Sequence, residues 1–401
     1  MVGASRHPNE SVTSDTRNTG TAKPAILQIV PRLDTGGAER STIDVAEALI
    51  ADGYAALVAS EGGRMTEELK AAGGELIALA ASSKSPVTIL ANALKLKRAI
   101  AARNVKLVHA RSRAPAWSGL IAARLAGVPF VATYHGLYGA SNALKRWYNS
   151  VMVRGAAVIA NSDWTAKHIA AEYGAHAKRV VVIPRGVDPM RFDAAGIAPD
   201  RVSALRKSWG VAEDDVVVLL PGRLTRLKGQ LVLIEALAQM KAEGTLDGLR
   251  AVLAGDAQGR DAYRAEVARA IEAAGLGDRV IVAGHVGDMA AAYLACDIAL
   301  SASIYAESFG RVPVEAAVMG KPAIATDHGG ARETVVAGQS GSLTPPGDAA
   351  ALARALERMI AIGAEGRRAM GAKGRAHVLG RYTRERMCAA TLALYREILG
   401  T

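Results

Sequence analysis

Cysteine is almost missing: Cys296 and Cys388 stand alone in 401 residues, too few and too far apart for a disulfide framework or a four-ligand zinc site. A reducing, cytoplasmic compartment is therefore expected, and no metal. No run of about 18 uncharged apolar residues occurs, the length a spanning helix needs. The first 22 residues are polar and lack the apolar core of a signal peptide. The chain is expected to be soluble or peripheral on the inner face of the cytoplasmic membrane, with residues 1–22 a disordered tail. Acidic residues vanish between Leu76 and Ser162, an interval holding twelve Lys or Arg. That imbalance points to an anionic partner, either an acceptor bearing phosphates or an anionic membrane surface. Aromatics are only 4% of the chain and do not interleave with those cations, which argues against nucleic acid.

Half the residues are apolar, which excludes wholesale disorder. A chain this long exceeds what one core usually supports, so two domains of roughly 200 residues are expected. Short β-rich runs alternate with helical patterns: AILQIV (25–30), AALVAS (55–60), ELIALA (75–80), KLVHAR (106–111), FVATYH (130–135) and AVIANS (157–162). The rhythm resumes with VVVLLPG (216–222), RAVLAG (250–255), RVIVAG (279–284), IALSAS (298–303) and PAIATD (322–327). This is a βαβ pattern, hence two parallel sheets covered by helices on both faces. The fold class is α/β, with two doubly wound domains facing a central cleft. We divide the chain into residues 23–187, 188–383 and a C-terminal helix, 384–401, packing back on the first domain; the break falls near PRGVDPMRF (184–192).

Ligands of open parallel sheets bind beyond the carboxyl ends of the strands. After the first strand, Gly36 and Gly37 precede a helix expected to start near Ala38, where free amides and the helix dipole suit a phosphate; a simple turn explains the same pair. In PGRLTRLKGQ, Arg223 and Lys228 flank a turn where they can grip a diphosphate, and the spacing equally suits two solvated cations. YAESFGRVPVEAAVMGKP holds Glu307 in a loop and Glu315 in a helix expected to start near Pro313, in whose first turn Glu315 would lie. Carboxylates accept hydrogen bonds from paired sugar or ribose hydroxyls, and the amides of Phe309 and Gly310 can face a phosphate. DHGGARETV (327–335) is read as a structural turn.

In these segments the chain resembles the retaining glycosyltransferase family four, of GT-B architecture with Rossmann-like domains. GGAER, TYHG, ANSDWT, VIPRGVDPMRF, GRLTRLKG, ESFGRVPVE and GGARETV followed by GSLTPPGD come in the family's order. The resemblance implies a UDP- or GDP-sugar donor, with no further cofactor, and a glycan or glycolipid acceptor of lipopolysaccharide-core or envelope type. It assigns Arg223 and Lys228 to the diphosphate, Glu315 to the ribose and Glu307 to the transferred sugar. Phe309, Gly310 and Arg311 would offer backbone donors, Gly37 would approach the diphosphate, and the base would sit near Gly284, His285 and Val286. His135 matches the active-site histidine beside the sugar. Arg185 stands where the family often has Asn, Arg311 where an apolar residue is common, and Ala331 where Pro is frequent. A nucleotide-sugar epimerase, a glycan phosphorylase and a non-catalytic sugar-nucleotide-binding protein remain alternatives at this stage.

Overall fold

The computed structural model describes residues 23–34, 36–139 and 142–401; the expected tail, residues 1–22, lies outside them. The first sheet comprises β1 (Ala25–Ile29), β2 (Ala55–Ser60), β3 (Glu75–Ala78), β4 (Val105–Ala110), β5 (Phe130–Tyr134), β6 (Ala157–Ala160) and β7 (Val180–Val182). Their spatial order is β3-β2-β1-β4-β5-β6-β7, and every pairing is parallel. The second sheet comprises β8 (Val216–Pro221), β9 (Leu249–Ala254), β10 (Val280–Gly284), β11 (Ile298–Ser301), β12 (Ala323–Thr326) and β13 (Gly341–Thr344), in the order β10-β9-β8-β11-β12-β13. Both are doubly wound α/β sheets, with switch points between β1 and β4 and between β8 and β11. Parallel strands must be covered on both faces, so they read as continuous apolar runs; β1 is buried at all five positions. Two strands, β7 and β13, are missing from the sequence reading: VVV runs straight into a proline loop, and GSLT carries one strongly apolar residue.

Each sheet is sandwiched between two apolar clusters. On one face of the first sheet, Ile26, Val30, Ile43 and Leu49 pack with Met387, Cys388, Leu392 and Tyr395 of the helix Arg384–Leu399. That helix starts on a Thr383 cap, whose hydroxyl accepts from the Arg386 amide. Tyr395 is anchored deep in the first domain: its hydroxyl lies 2.5 Å from His109 Nδ1, and His109 Nε2 lies 2.7 Å from Thr133 Oγ1. Both cysteines are free and buried, and burial pushes each thiol up to about 12.

The chain crosses between the domains twice, and the crossings pair with each other. Val187 N–H donates to Tyr382 O at 2.8 Å, and Arg384 N–H donates to Val187 O at 2.8 Å. Arg384 adds ion pairs to Glu47, to Asp188 at 3.3 Å and to Asp44 at 3.7 Å. Away from this hinge, Glu333 of the second domain accepts from the Asp163 and Trp164 amides at 3.0 and 2.8 Å. It thereby caps the amino end of the helix Asp163–Tyr173.

The acid-free interval is less bare in three dimensions than in sequence. Arg103 pairs with Glu75 at 2.5 Å and Arg146 with Glu172 at 3.4 Å, the first acid adjoining the interval and the second in the helix that follows it. Arg111 is buried and bonds to Gln28, while Arg154 lies over Trp117 and Trp147. The twelve cations are therefore not uniformly uncompensated, and Arg103, Arg146 and Arg154 do not belong to a free basic face. The exposed residues of the helix Pro86–Ala102 include a stripe at helical spacing, Val87, Leu90 and Leu94 followed by Lys97 and Arg98. Leu144 and Trp147 add exposed apolar surface on the helix Ala143–Asn149, with Trp147 stacked on Trp117 at 4.8 Å. Among the described residues no helix is long and apolar enough to cross a membrane.

Candidate functional site

Two loops flank the switch point of the second sheet. The first leaves β8 at Gly222 and reaches Lys228 before the helix Gln230–Glu243. The second leaves β11 and carries Ser303 and Glu307 before the helix Arg311–Val318. The fold closes them on each other: Lys228 Nζ lies 2.7 Å from Glu307 Oε1, with both side chains about three-quarters buried, and Ser303 Oγ donates to the same carboxylate oxygen. Burial pushes the Glu307 carboxyl upward, but Lys228 and Ser303 together outweigh it and hold the group below its ordinary value. Arg223, by contrast, is exposed and forms no ion pair among the described residues.

The helix carrying Glu315 begins at Arg311, two residues before the expected start at Pro313. Gly310, at φ 80°, makes the break, and Pro313 sits inside the first turn, where its missing N–H has no intrahelical partner to lose. Glu315 consequently lies past the first turn, so a favourable helix-dipole position does not explain it. It is held instead by Arg311 Nη2 at 2.5 Å and by the Tyr293 hydroxyl at 2.9 Å. Phe309 has its ring in the core, edge-on to Tyr382 at 5.5 Å, so only its backbone is available to a ligand. The amides of Phe309, Gly310 and Arg311 donate to nothing among the described residues. Behind this loop, Gly330 N–H donates to Glu307 O at 2.9 Å. A Cβ on Gly329 would overlap that same carbonyl, so the DHGG turn is a backing for the Glu307 loop.

Across the cleft, the helix Gly37–Ala51 starts as the sequence suggests, with Gly36 at its cap. The two glycines face different surroundings: Gly36 lies against the Glu39 carboxylate, and Gly37 against Arg185 and Arg311. A Cβ on Gly37 would overlap Arg185 Nη1, so a larger residue there would push that guanidinium aside. Arg185 Nη2 lies 2.7 Å from His135 Nδ1. The His135 carbonyl accepts from Ser308 Oγ at 2.8 Å, and Ser308 also bonds to Asn161, Ser162 and Thr165. Thus Gly37, His135, Lys228, Glu307, Gly310, Arg311 and Glu315 gather around one interdomain cleft.

His285 and Val286 lie apart, beyond the edge strand β10; His285 is exposed and Val286 packs on the second domain's core. Beside them a cavity of about 420 Å³ opens at the ends of β9 and β10, lined by Leu224, Gly255, Asp256, Arg264, Val282 and Gly284. Sequence reasoning named Arg185 only as a departure from a motif and did not find Tyr293 or Ser308 as partners. ESFG contains Ser308, but nothing in it announces a contact with the other domain. Among the described residues no group of three or more His, Cys, Asp or Glu could hold a metal ion.

Two family models match the chain: Glycosyltransferase Family 4 over residues 35–191 and Glycosyl transferases group 1 over residues 202–377. The chain is 35% identical over 246 residues to a D-inositol 3-phosphate glycosyltransferase of Geodermatophilus obscurus, covering 59% of this chain. That match spans only about half the relative's length, 52%. Among solved structures, a glycosyltransferase from Rickettsia africae is 34% identical with a TM-score of 0.86, over 94% of this chain and 99% of that one. Anabaena HepE in complex with UDP and glucose is 28% identical with a TM-score of 0.81, over 93% and 99%.

Proposed function

We propose a donor, a mechanism and an acceptor class for a chain that belongs to glycosyltransferase family four, of group 1: it moves a sugar from a UDP- or GDP-sugar to a glycan or glycolipid hydroxyl with retention of configuration. The observation that carries this reading is the convergence of the Lys228–Glu307 and Arg311–Glu315 pairs with the bare amides of residues 309–311 around one cleft. Transfer requires a nucleoside diphosphate to leave while positive charge builds on the anomeric carbon. Arg223, Lys228 and the amides opening the helix Arg311–Val318 would meet the leaving charge without a metal. Gly37 lets the opposite domain approach the same group. Glu315 would hold the ribose hydroxyls and Glu307 the transferred sugar, while the base would lie by Gly284, His285 and Val286 near the 420 Å³ cavity. The acceptor hydroxyl attacks on the face the diphosphate leaves, and a departing phosphate oxygen takes its proton. His135 contacts the sugar.

The UDP complex of the Anabaena neighbour supports a uridine donor. For the acceptor, the support is the exposed stripe of Val87, Leu90, Leu94, Lys97 and Arg98. Its apolar half begins at the start of the helix Pro86–Ala102, after β3, on the edge of the sheet that faces the cleft. An apolar surface followed by cations suits an anionic bilayer carrying a lipid-borne acceptor.

Thermal shift with UDP-, GDP- and ADP-sugars tests the donor, since a ligand of the folded state raises its stability. NMR of the product formed in chelator tests the mechanism. An inverted anomer, or turnover that returns only with Mg²⁺ or Mn²⁺, overturns it, and donor consumption without acceptor would indicate an epimerase.

A further inference from the structure

The two ring nitrogens of the site histidine, His135, face different surroundings. Its Nδ1 receives Arg185 Nη2 at 2.7 Å, whereas its Nε2 is buried with no hydrogen-bond partner among the described residues. A guanidinium has five N–H donors and no acceptor, so the ring nitrogen facing it must accept. A neutral imidazole that accepts through Nδ1 carries its proton on Nε2. We propose, building on the transfer reaction above, that Arg185 is a positioning residue that makes His135 a one-way hydrogen-bond donor, its Nε2–H reserved for an oxygen of the transferred sugar.

The geometry of Arg185 fits that task. Its guanidinium is wedged between the glycine that opens the helix Gly37–Ala51 and the Arg311 side chain, and it has no carboxylate within ion-pair distance among the described residues. An arginine serving only stability would be paired; this one donates to His135 instead. Burial pulls Arg185 down to about 10, with Arg311 the next contributor and Glu39 opposing it, so it stays charged at neutral pH. The charges facing His135 act in the same sense: burial first, then Arg185, Arg111 and His109, hold the ring well below its usual value. Tyr138 approaches its backbone from the following loop, and Ser308 bonds to its carbonyl from the second domain. A histidine in this setting does not remove a proton through Nε2. It donates one hydrogen bond, and a sugar lacking an acceptor oxygen there leaves a buried N–H unpaired.

The test is the tautomer. In protein labelled with ¹⁵N at histidine, two-bond ¹H–¹⁵N correlations assign His135 by the signal lost in H135Q. Wild type is expected to show Nε2–H alone, without titration between pH 6 and 8. R185M is expected to admit the Nδ1–H form or to titrate, and R185K, which keeps a charged donor, to restore the wild-type pattern. In turnover, R185M should lose kcat about ten- to a hundredfold, the scale on which partners orienting a histidine act, with donor KM little changed. An Nδ1–H signal in wild type, or R185M with unaltered tautomer and kcat, overturns the proposal. The tautomer is read without donor, so failure of the transfer reaction and failure of this lock are distinguishable.

Discussion

Lys228 reaches Glu307 across the switch point of the second sheet, Nζ to Oε1 at 2.7 Å, although 79 residues separate them in the chain. Each is the other's counter-charge, and each has a proposed ligand of its own, the diphosphate for the lysine and the sugar for the carboxylate. Removing the lysine would therefore delete the proposed phosphate contact and also leave a largely buried carboxylate beside Ser303 without its cation.

Lys228→Ala is expected to lower kcat/KM by an amount equivalent to about 2–4 kcal/mol, the range for a charge-assisted contact to a leaving phosphate. Arg223→Ala should act in the same direction and more weakly, because Arg223 is exposed and forms no ion pair among the described residues. Near-wild-type steady-state kinetics in K228A would remove it from the site.

Glu315 and Glu307 should separate binding from transfer. Glu315→Ala is expected to weaken UDP or GDP binding by calorimetry, and Glu307→Ala to impair turnover while nucleotide affinity is kept. Tyr293→Phe removes one hydrogen bond from Glu315, so it should cost nucleotide affinity on the order of 1 kcal/mol. Equal nucleotide affinity in E315A and wild type contradicts this division.

Stability should fall as the solution is acidified below neutrality. His109 is fully buried and held well below its usual value, by burial first and by Arg111 second. A lowered histidine is neutral when folded and protonated when unfolded. Its stabilisation is therefore complete above the unfolded pKa of about 6.5 and lost as pH drops below it, with a slope near 1.4 kcal/mol per unit for one proton. Denaturant midpoints of wild type and His109→Gln between pH 7.5 and 5 check this. The mutant should have the shallower slope, even where its absolute stability is reduced by disturbance of the Tyr395 and Thr133 contacts.

For the exposed stripe, flotation with anionic and neutral vesicles at low ionic strength is the measure. Binding should favour anionic vesicles, weaken with salt, and weaken in K97E/R98E and in L90S/L94S. Lys97 and Arg98 are better targets than Arg146, which is paired with Glu172. No preference between the vesicles would leave a soluble anionic acceptor as the meaning of the charge.

Much of the fold was legible because parallel strands advertise themselves as apolar runs, and eleven of the thirteen strands of the described residues could be read directly. The loops carrying Glu307, Lys228 and Gly37 follow strand ends and were found for that reason. What could not be read depends on the meeting of distant segments. Tyr293 beneath Glu315, Ser308 between the domains and Arg185 behind His135 each answer to a partner tens or hundreds of residues away. The charge of the first domain was overstated for the same reason: Glu75 and Glu172 lie outside the acid-free interval and return to it through space. The start of the Glu315 helix was misplaced because proline was read as its first residue, whereas Gly310 makes the break.

The helix Arg384–Leu399 completes the core of the domain that is synthesised first. Until it emerges from the ribosome, Ile26, Ile43 and Leu49 lack part of their cover, and His109 lacks the hydroxyl of Tyr395. The amino-terminal half of this enzyme cannot reach its final packing in the order in which it is made. Its first domain must wait, partly open, while the second is translated and folds, and an early stop just before residue 384 would leave both sheets present in sequence and the first domain unfinished.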